Sequence, residues 1–158
     1  MSSQFVELSE TDSPLEETMS VNHARLTTRL VALLLPFESQ YEVDVLTELE
    51  CELSTGRAKP DVAIVPGQHY DWERDVMRYP HPPLTAIEVL SPTQSFSSLV
   101  SKIREVYFPA GVRSAWLVVP EVRTVHLYLP QQPAVAYHTG LLRDPTTGVE
   151  VALEALFG

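Results

Sequence analysis

Glu88 stands in the middle of an otherwise apolar stretch, Leu84 to Leu90 (LTAIEVL). An ionised carboxylate in such surroundings costs several kcal/mol unless it is paired or coordinates a cation. A second carboxylate, Asp61, heads the apolar run Val62 to Val65, and only the segment 66–83 separates the two runs. If both are strands they can pair antiparallel, which would bring Asp61 and Glu88 together. Two converging carboxylates make a hard-oxygen site suited to Mg²⁺ or Mn²⁺ with water completing the shell, and the carbonyl of Val89 is placed to add a third oxygen. Lys102 is the third charged candidate. It lies three residues after Leu99 and four before Val106, at the border of a helical apolar stripe, so its stem can lie on the core while the ammonium reaches inward. There it either neutralises the carboxylates or orients an attacking water. Each residue also has a plainer reading: Glu88 as half of a buried ion pair serving the fold, Asp61 as a strand-entry residue bonding a turn, and Lys102 as a surface lysine.

Other chemistries find little support. His69, His81, His126 and His138 show no zinc-ligand spacing, and the single cysteine, Cys51, cannot complete such a set or form an internal disulfide. No phosphate-binding glycine loop, dinucleotide fingerprint, nucleophile elbow or aromatic RNA-binding motif occurs. With 21 acidic against 11 basic residues the net charge is −10, which argues against a general nucleic-acid coat unless a cation intervenes. The longest apolar run, Leu30 to Phe37, is far short of the roughly 20 residues that span a bilayer, so no membrane association is expected. The first residues lack the basic start and apolar core of a signal peptide, which points to the cytoplasm.

The elements that must position these groups follow from periodicity. Residues 1–19 are polar and acidic and read as a loosely packed tail on a single domain covering 1–158. Leu26, Leu30, Val31, Leu33 and Leu34 predict a helix that Ser20 or Asn22 caps and Pro36 stops. Apolar odd positions and acidic even ones from Tyr41 to Leu53, including Glu48, Glu50 and Glu52, predict one half-buried strand. Segments 61–65 and 84–90 read as central strands. The intervening 66–83, with Tyr70, Trp72, Arg74, Arg78 and His81, reads as a long loop of the kind that contacts substrate. A helix is expected from about Ser97 to Phe108 with Gly111 as its stop, then a hairpin of 115–119 and 123–129 in which Trp116 is core, and short edge strands at 134–139 and 149–153. This order describes an α+β, α/β/α-like fold with a mixed central sheet flanked by helices.

Lys59-Pro60-Asp61-Val62, Ala86-Ile87-Glu88-Val89-Leu90-Ser91-Pro92, Lys102 with Tyr107 and Gly111-Val112, Ala115-Trp116-Leu117-Val118, and the closing Leu153-Glu154-Ala155-Leu156-Phe157 together resemble the Uma-type restriction-endonuclease family of the PD-(D/E)XK nuclease superfamily. The resemblance covers roughly His23 to the C-terminus. It implies a restriction-endonuclease-like fold and metal-dependent phosphodiester hydrolysis in nucleic acid, for which DNA is the expected substrate and RNA the alternative. Asp61 and Glu88, with 26 residues between them, match its metal-binding acids. Leu90 stands where the usual motif has a lysine, so the resemblance implies that Lys102 supplies a migrated ammonium. His23 matches a family histidine near the site. Departures are the absence of glycine in residues 1–19, Ser98 in place of an acidic residue, and Ala115-Trp116 and Val118-Val119-Pro120 in place of Tyr-Trp and Val-Asp-Pro. They motivate the alternative of a catalytically inactive nuclease fold acting as a binding or regulatory module. A homodimer is expected of a small nuclease that cuts both strands.

Overall fold

The computed structural model describes residues 19–158, so all of the expected N-terminal tail except Met19 lies outside the described residues. Helix α1 spans Val21–Leu34 and begins where the Ser20 side chain accepts a hydrogen bond from the His23 N–H at 3.1 Å. Its buried stripe is His23, Leu26, Leu30 and Leu34, so a histidine occupies the first place on an otherwise leucine face. Pro36 does not end the helical path as expected. It sits at the start of a 3₁₀ turn, Leu35–Phe37, where a missing N–H costs nothing, and the one-turn helix α2 (Glu38–Tyr41) follows, closed by Glu42 in the left-handed conformation.

The alternating run from 41 to 53 is two strands, not one. β1 (Val43–Thr47) and β2 (Cys51–Leu53) are separated by Glu48, whose φ of 51° turns the chain. Val43, Val45, Cys51 and Leu53 are all buried, so the alternation survives the break that divides the strands between two sheets. β2 pairs antiparallel with β3 (Gly56–Ala58) as a separate hairpin.

The main sheet has six strands in the order β1-β4-β5-β6-β7-β8, with β4 at Val62–Pro66, β5 at Thr85–Val89, β6 at Ser114–Val119, β7 at Thr124–Tyr128 and β8 at Val135–Tyr137. Every pairing is antiparallel except β5 with β6, which is parallel and is bridged by helix α3 (Phe96–Lys102). A parallel pair needs such a crossover, and this chain places its only long helical segment after β5 there. α3 continues as a π-helical turn, Ile103–Tyr107, in which the Phe108 N–H donates to the Ile103 carbonyl five residues back. The expected edge strand at 149–153 is instead β10 (Glu150–Ala152), paired with β9 (Leu141–Arg143) outside the main sheet and leading into the short helix α4 (Leu153–Phe157).

The two faces of the sheet carry separate cores. On one, Ile87, Val89, Trp116 and Val118 pack against Leu26, Leu30 and Leu34 of α1 and Leu153 and Leu156 of α4. On the other, Ala86, Ala115 and Leu117 pack against Leu99, Ile103 and Tyr107 and the β2–β3 hairpin. Trp116 is core, as expected. The architecture is the mixed sheet flanked by helices that the sequence predicts, and Glu88, on the second face between Ala86 and the end of β5, is a carboxylate buried in its central strand.

Candidate active site

Val62 pairs with Ile87, and one further step along the register sets Asp61 opposite Glu88. The Asp61 carbonyl accepts from the Glu48 N–H at 3.1 Å, which ties it to the end of β1. Its side chain reaches the other way, and Oδ2 accepts from the Val89 N–H at 2.7 Å. A carboxylate thus replaces the ladder partner that β4 no longer supplies. The same register sets Pro60 opposite Val89, and proline has no N–H to offer the Val89 carbonyl.

His23 enters from α1, where its Nε2 lies 3.1 Å from Asp61 Oδ2. The Thr27 hydroxyl donates to the His23 carbonyl at 2.9 Å, which leaves its oxygen as an acceptor 3.5 Å from His23 Nδ1. An imidazolium therefore has an acceptor on each ring nitrogen. The hydrogen bond to Asp61 raises the His23 pKa above 6.5, against the opposing effect of burial, and the charges of Asp61, Glu88 and Glu48 push the same way. A group with a raised folded pKa adds stability that is fully present below its unfolded value and is lost as pH climbs through the folded one. His23→Gln should therefore lower stability by about 1.5–3 kcal/mol below pH 6.5, the worth of a hydrogen bond to a charged group, with a smaller deficit at pH 8 and above. Melting curves of both proteins across pH 5.5–9 check this, and a deficit that grows with pH contradicts it.

Glu88 is only 3% exposed. Its Oε2 accepts from the Tyr107 hydroxyl at 2.5 Å and from Lys102 Nζ at 3.0 Å. Burial raises its pKa and the neighbouring Asp61 charge adds to this, while Lys102 and Tyr107 pull it down. Lys102 keeps about a third of its side chain in solvent, so its ammonium has access to both the carboxylate and the outside.

Each carboxylate is thus clamped through one oxygen by two donors: Asp61 Oδ2 by His23 and Val89, Glu88 Oε2 by Lys102 and Tyr107. Among the described residues, Asp61 Oδ1 and Glu88 Oε1 take no hydrogen bond from the protein. Two free carboxylate oxygens on adjacent strands, beside a carbonyl without a ladder partner, fit a hard divalent cation that keeps several waters. No group of three or more His, Cys, Asp or Glu side chains among the described residues is arranged to hold a metal, and the side chains that could hold a cation here are these two carboxylates. A cleft of about 360 Å³ opens beside the site, between Ser20 and Asn22 at the start of α1, Leu90 and Ser91 after β5, and the β6–β7 turn at Pro120 and Glu121.

All five residues singled out in the sequence, His23, Asp61, Glu88, Val89 and Lys102, meet here. Tyr107, which the motif set names beside Lys102 without assigning it a role, also meets Glu88 through its hydroxyl. Glu50 and Glu52 lie on a wet face with Arg78 and Arg57 as partners, and Arg78 of the long loop is engaged there. The Tyr70–Trp72 stack of that loop is anchored on Asp44, which pairs with Val65, about 13 Å along β4 from Asp61 at the usual strand rise. Burial and the Glu50 charge push the Cys51 thiol up to about 11, which removes it as a nucleophile.

Residues 11–156 match the Uma2 family, described as "Putative restriction endonuclease". The chain belongs to this family. A crystal structure described as "a putative nuclease belonging to DUF820" from Anabaena variabilis superposes with a TM-score of 0.76 at 22% identity, covering 87% of this chain and 81% of that one. At that identity the likeness shows a shared fold. No curated protein matches the chain. Among the described residues of this Uma2-family chain, no helix is long and apolar enough to cross a membrane.

Proposed function

We propose that this Uma2-family protein is an endonuclease that hydrolyses phosphodiester bonds in DNA with Mg²⁺ or Mn²⁺ as cofactor. The observation that carries the reading is the paired clamp, which leaves Asp61 Oδ1 and Glu88 Oε1 free beside the ammonium of Lys102. The family description and the nuclease fold of the Anabaena protein support it.

Asp61, Glu88 and the Val89 carbonyl would hold the cation. When bound, it supplies a Lewis acid that lowers the pKa of a water and draws a phosphoryl oxygen. His23, bonded to Oδ2, fixes the rotation of the Asp61 carboxylate. Lys102, with about a third of its side chain in solvent, turns its ammonium toward the attacking water or the charge that develops on phosphate. The −10 net charge keeps contact with DNA local and salt-sensitive. A homodimer in the cytoplasm would set two such sites against the two strands.

Incubation of supercoiled plasmid with the protein in Mg²⁺ or Mn²⁺ tests the reading. Wild type should nick and linearise it, Asp61→Ala should not, and Lys102→Met should be about 10²–10³-fold slower, the usual effect of removing one charge-stabilising donor. Cleavage that survives Asp61→Ala sinks the assignment. The competing reading, a nuclease fold kept as a binding module, draws on the departures from the family pattern at Ser98, Ala115 and Val119 and on the net charge of −10. It requires that Mg²⁺ leave the melting temperature unchanged.

A further inference from the structure

We infer that Tyr107 is a positioning residue for the metal ligand Glu88, brought to it by the π-helical turn at Ile103–Tyr107. The inference rests on the proposed metal site. In a continuous α-helix, residues five apart lie on different faces, and Lys102 and Tyr107 would diverge. In the π turn the Phe108 N–H reaches the Ile103 carbonyl, and the wider coil brings residues five apart into line. Lys102 Nζ accordingly sits 5.5 Å from the centre of the Tyr107 ring, and both side chains donate to the same oxygen, Glu88 Oε2.

The two donors differ in what they can hold. Lys102 is partly in water and its ammonium turns freely, so it neutralises Glu88 without fixing the carboxylate plane. Tyr107 is fully buried, with its ring among Ala86, Leu99 and Ile103, and its hydroxyl has one rigid line of approach. It therefore sets the rotation of the Glu88 carboxyl and so the direction of Oε1. It also leaves Lys102 free to exchange Glu88 for substrate without loss of the ligand's orientation. Partners that orient metal-ligating carboxylates commonly change metal affinity by about 10- to 100-fold.

Calorimetric titration of the DNA-free protein with Mn²⁺ tests the assignment without any cleavage readout. Tyr107→Phe keeps the ring and removes only the hydroxyl, and it should bind Mn²⁺ about 10- to 100-fold more weakly while melting, metal-free, within a few degrees of wild type. Lys102→Met should keep Mn²⁺ affinity within about threefold or tighten it, because it removes a competing cation and spares the orienting hydroxyl. Tyr107→Leu, which also lacks the hydroxyl, repeats the test with different packing. Equal Mn²⁺ affinity in wild type and Tyr107→Phe overturns the role of Tyr107 and leaves the metal site standing. No Mn²⁺ binding by wild type overturns the metal site itself, and the inference with it.

Discussion

Glu88→Gln should melt higher than the wild-type protein in the absence of metal and cleave nothing. Glu88 is buried with its charge opposed by burial and by Asp61, and its pKa is raised for those reasons. For a carboxylate the sign of the linkage is then unfavourable: ionised Glu88 subtracts stability once pH exceeds about 4.5, and the deficit grows until the folded pKa is passed. The neutral amide removes that cost. Its carbonyl oxygen can keep the bonds from Tyr107 and Lys102, while its NH₂ takes the place of Oε1 and can donate to the free Oδ1 of Asp61. Loss of the ion pair does not strand a buried charge, because Lys102 reaches solvent. A gain of about 1 kcal/mol, or about 2–4 °C, is expected near neutral pH, vanishing below about pH 4.5. Activity should move the other way, by at least about 10³-fold, since several kcal/mol of charge stabilisation depend on the ligand. Addition of Mg²⁺ then separates the proteins again. Wild type should gain up to about 2.7 kcal/mol at a hundredfold excess over Kd, and the variant should gain little. Scanning calorimetry with and without Mg²⁺ reads all of this, and a melting temperature that falls in Glu88→Gln contradicts the electrostatic account.

The largest loss of stability is expected far from the site, in Asp144→Ala. Asp144 has no solvent exposure and is the second buried carboxylate, but it is fully satisfied. Oδ2 accepts from the Ser114 hydroxyl at 2.6 Å and the Trp116 indole N–H at 2.8 Å, and Oδ1 accepts from the Thr146 N–H at 2.8 Å. It ties the β9–β10 connection to the first residues of β6. Truncation leaves the Trp116 and Ser114 donors buried, at about 1–3 kcal/mol each, and opens a void beside them. The expected cost is about 3–5 kcal/mol, a fall of about 6–20 °C, with Mg²⁺ binding intact in the protein that remains folded. A loss under about 1 kcal/mol by urea titration contradicts it. The contrast between the two carboxylates is the physical mark of the site. Asp144 has donors for both oxygens, whereas Glu88 has two donors on one and none on the other.

The contrast also explains what was legible in the sequence. Glu88 and Asp61 announced themselves because a lone charge inside, or at the head of, an apolar run breaks the pattern that burial imposes. Lys102 stood at the edge of a stripe, and His23 was reached through resemblance, although its place on the Leu26, Leu30 and Leu34 stripe was a sign in the residues themselves. Asp144 was hidden because it sits in a polar stretch (RDPTTG) that reads as a turn, and its partner Trp116 gives no hint of where its N–H points. Tyr107 was hidden by the helical period. An α wheel places it among apolar neighbours, and only the π turn aligns it with Lys102. The strand break at Glu48 was missed because the alternation resumes in phase at Cys51 after a left-handed residue that composition does not mark. The central strands β4, β5 and β6 were readable since burial on both faces leaves nearly continuous apolar runs, and the crossover helix was readable from the buried stripe at Leu99, Ile103 and Tyr107.

The central claim is that Asp61 and Glu88 hold one divalent cation between them. A crystal of the protein soaked in Mn²⁺ and measured for anomalous scattering tests it most directly. The account predicts a single anomalous peak within ligand distance of both Asp61 Oδ1 and Glu88 Oε1, lost in Glu88→Gln. A peak at some other place with none between these carboxylates, or no peak at all after a saturating Mn²⁺ soak, contradicts it.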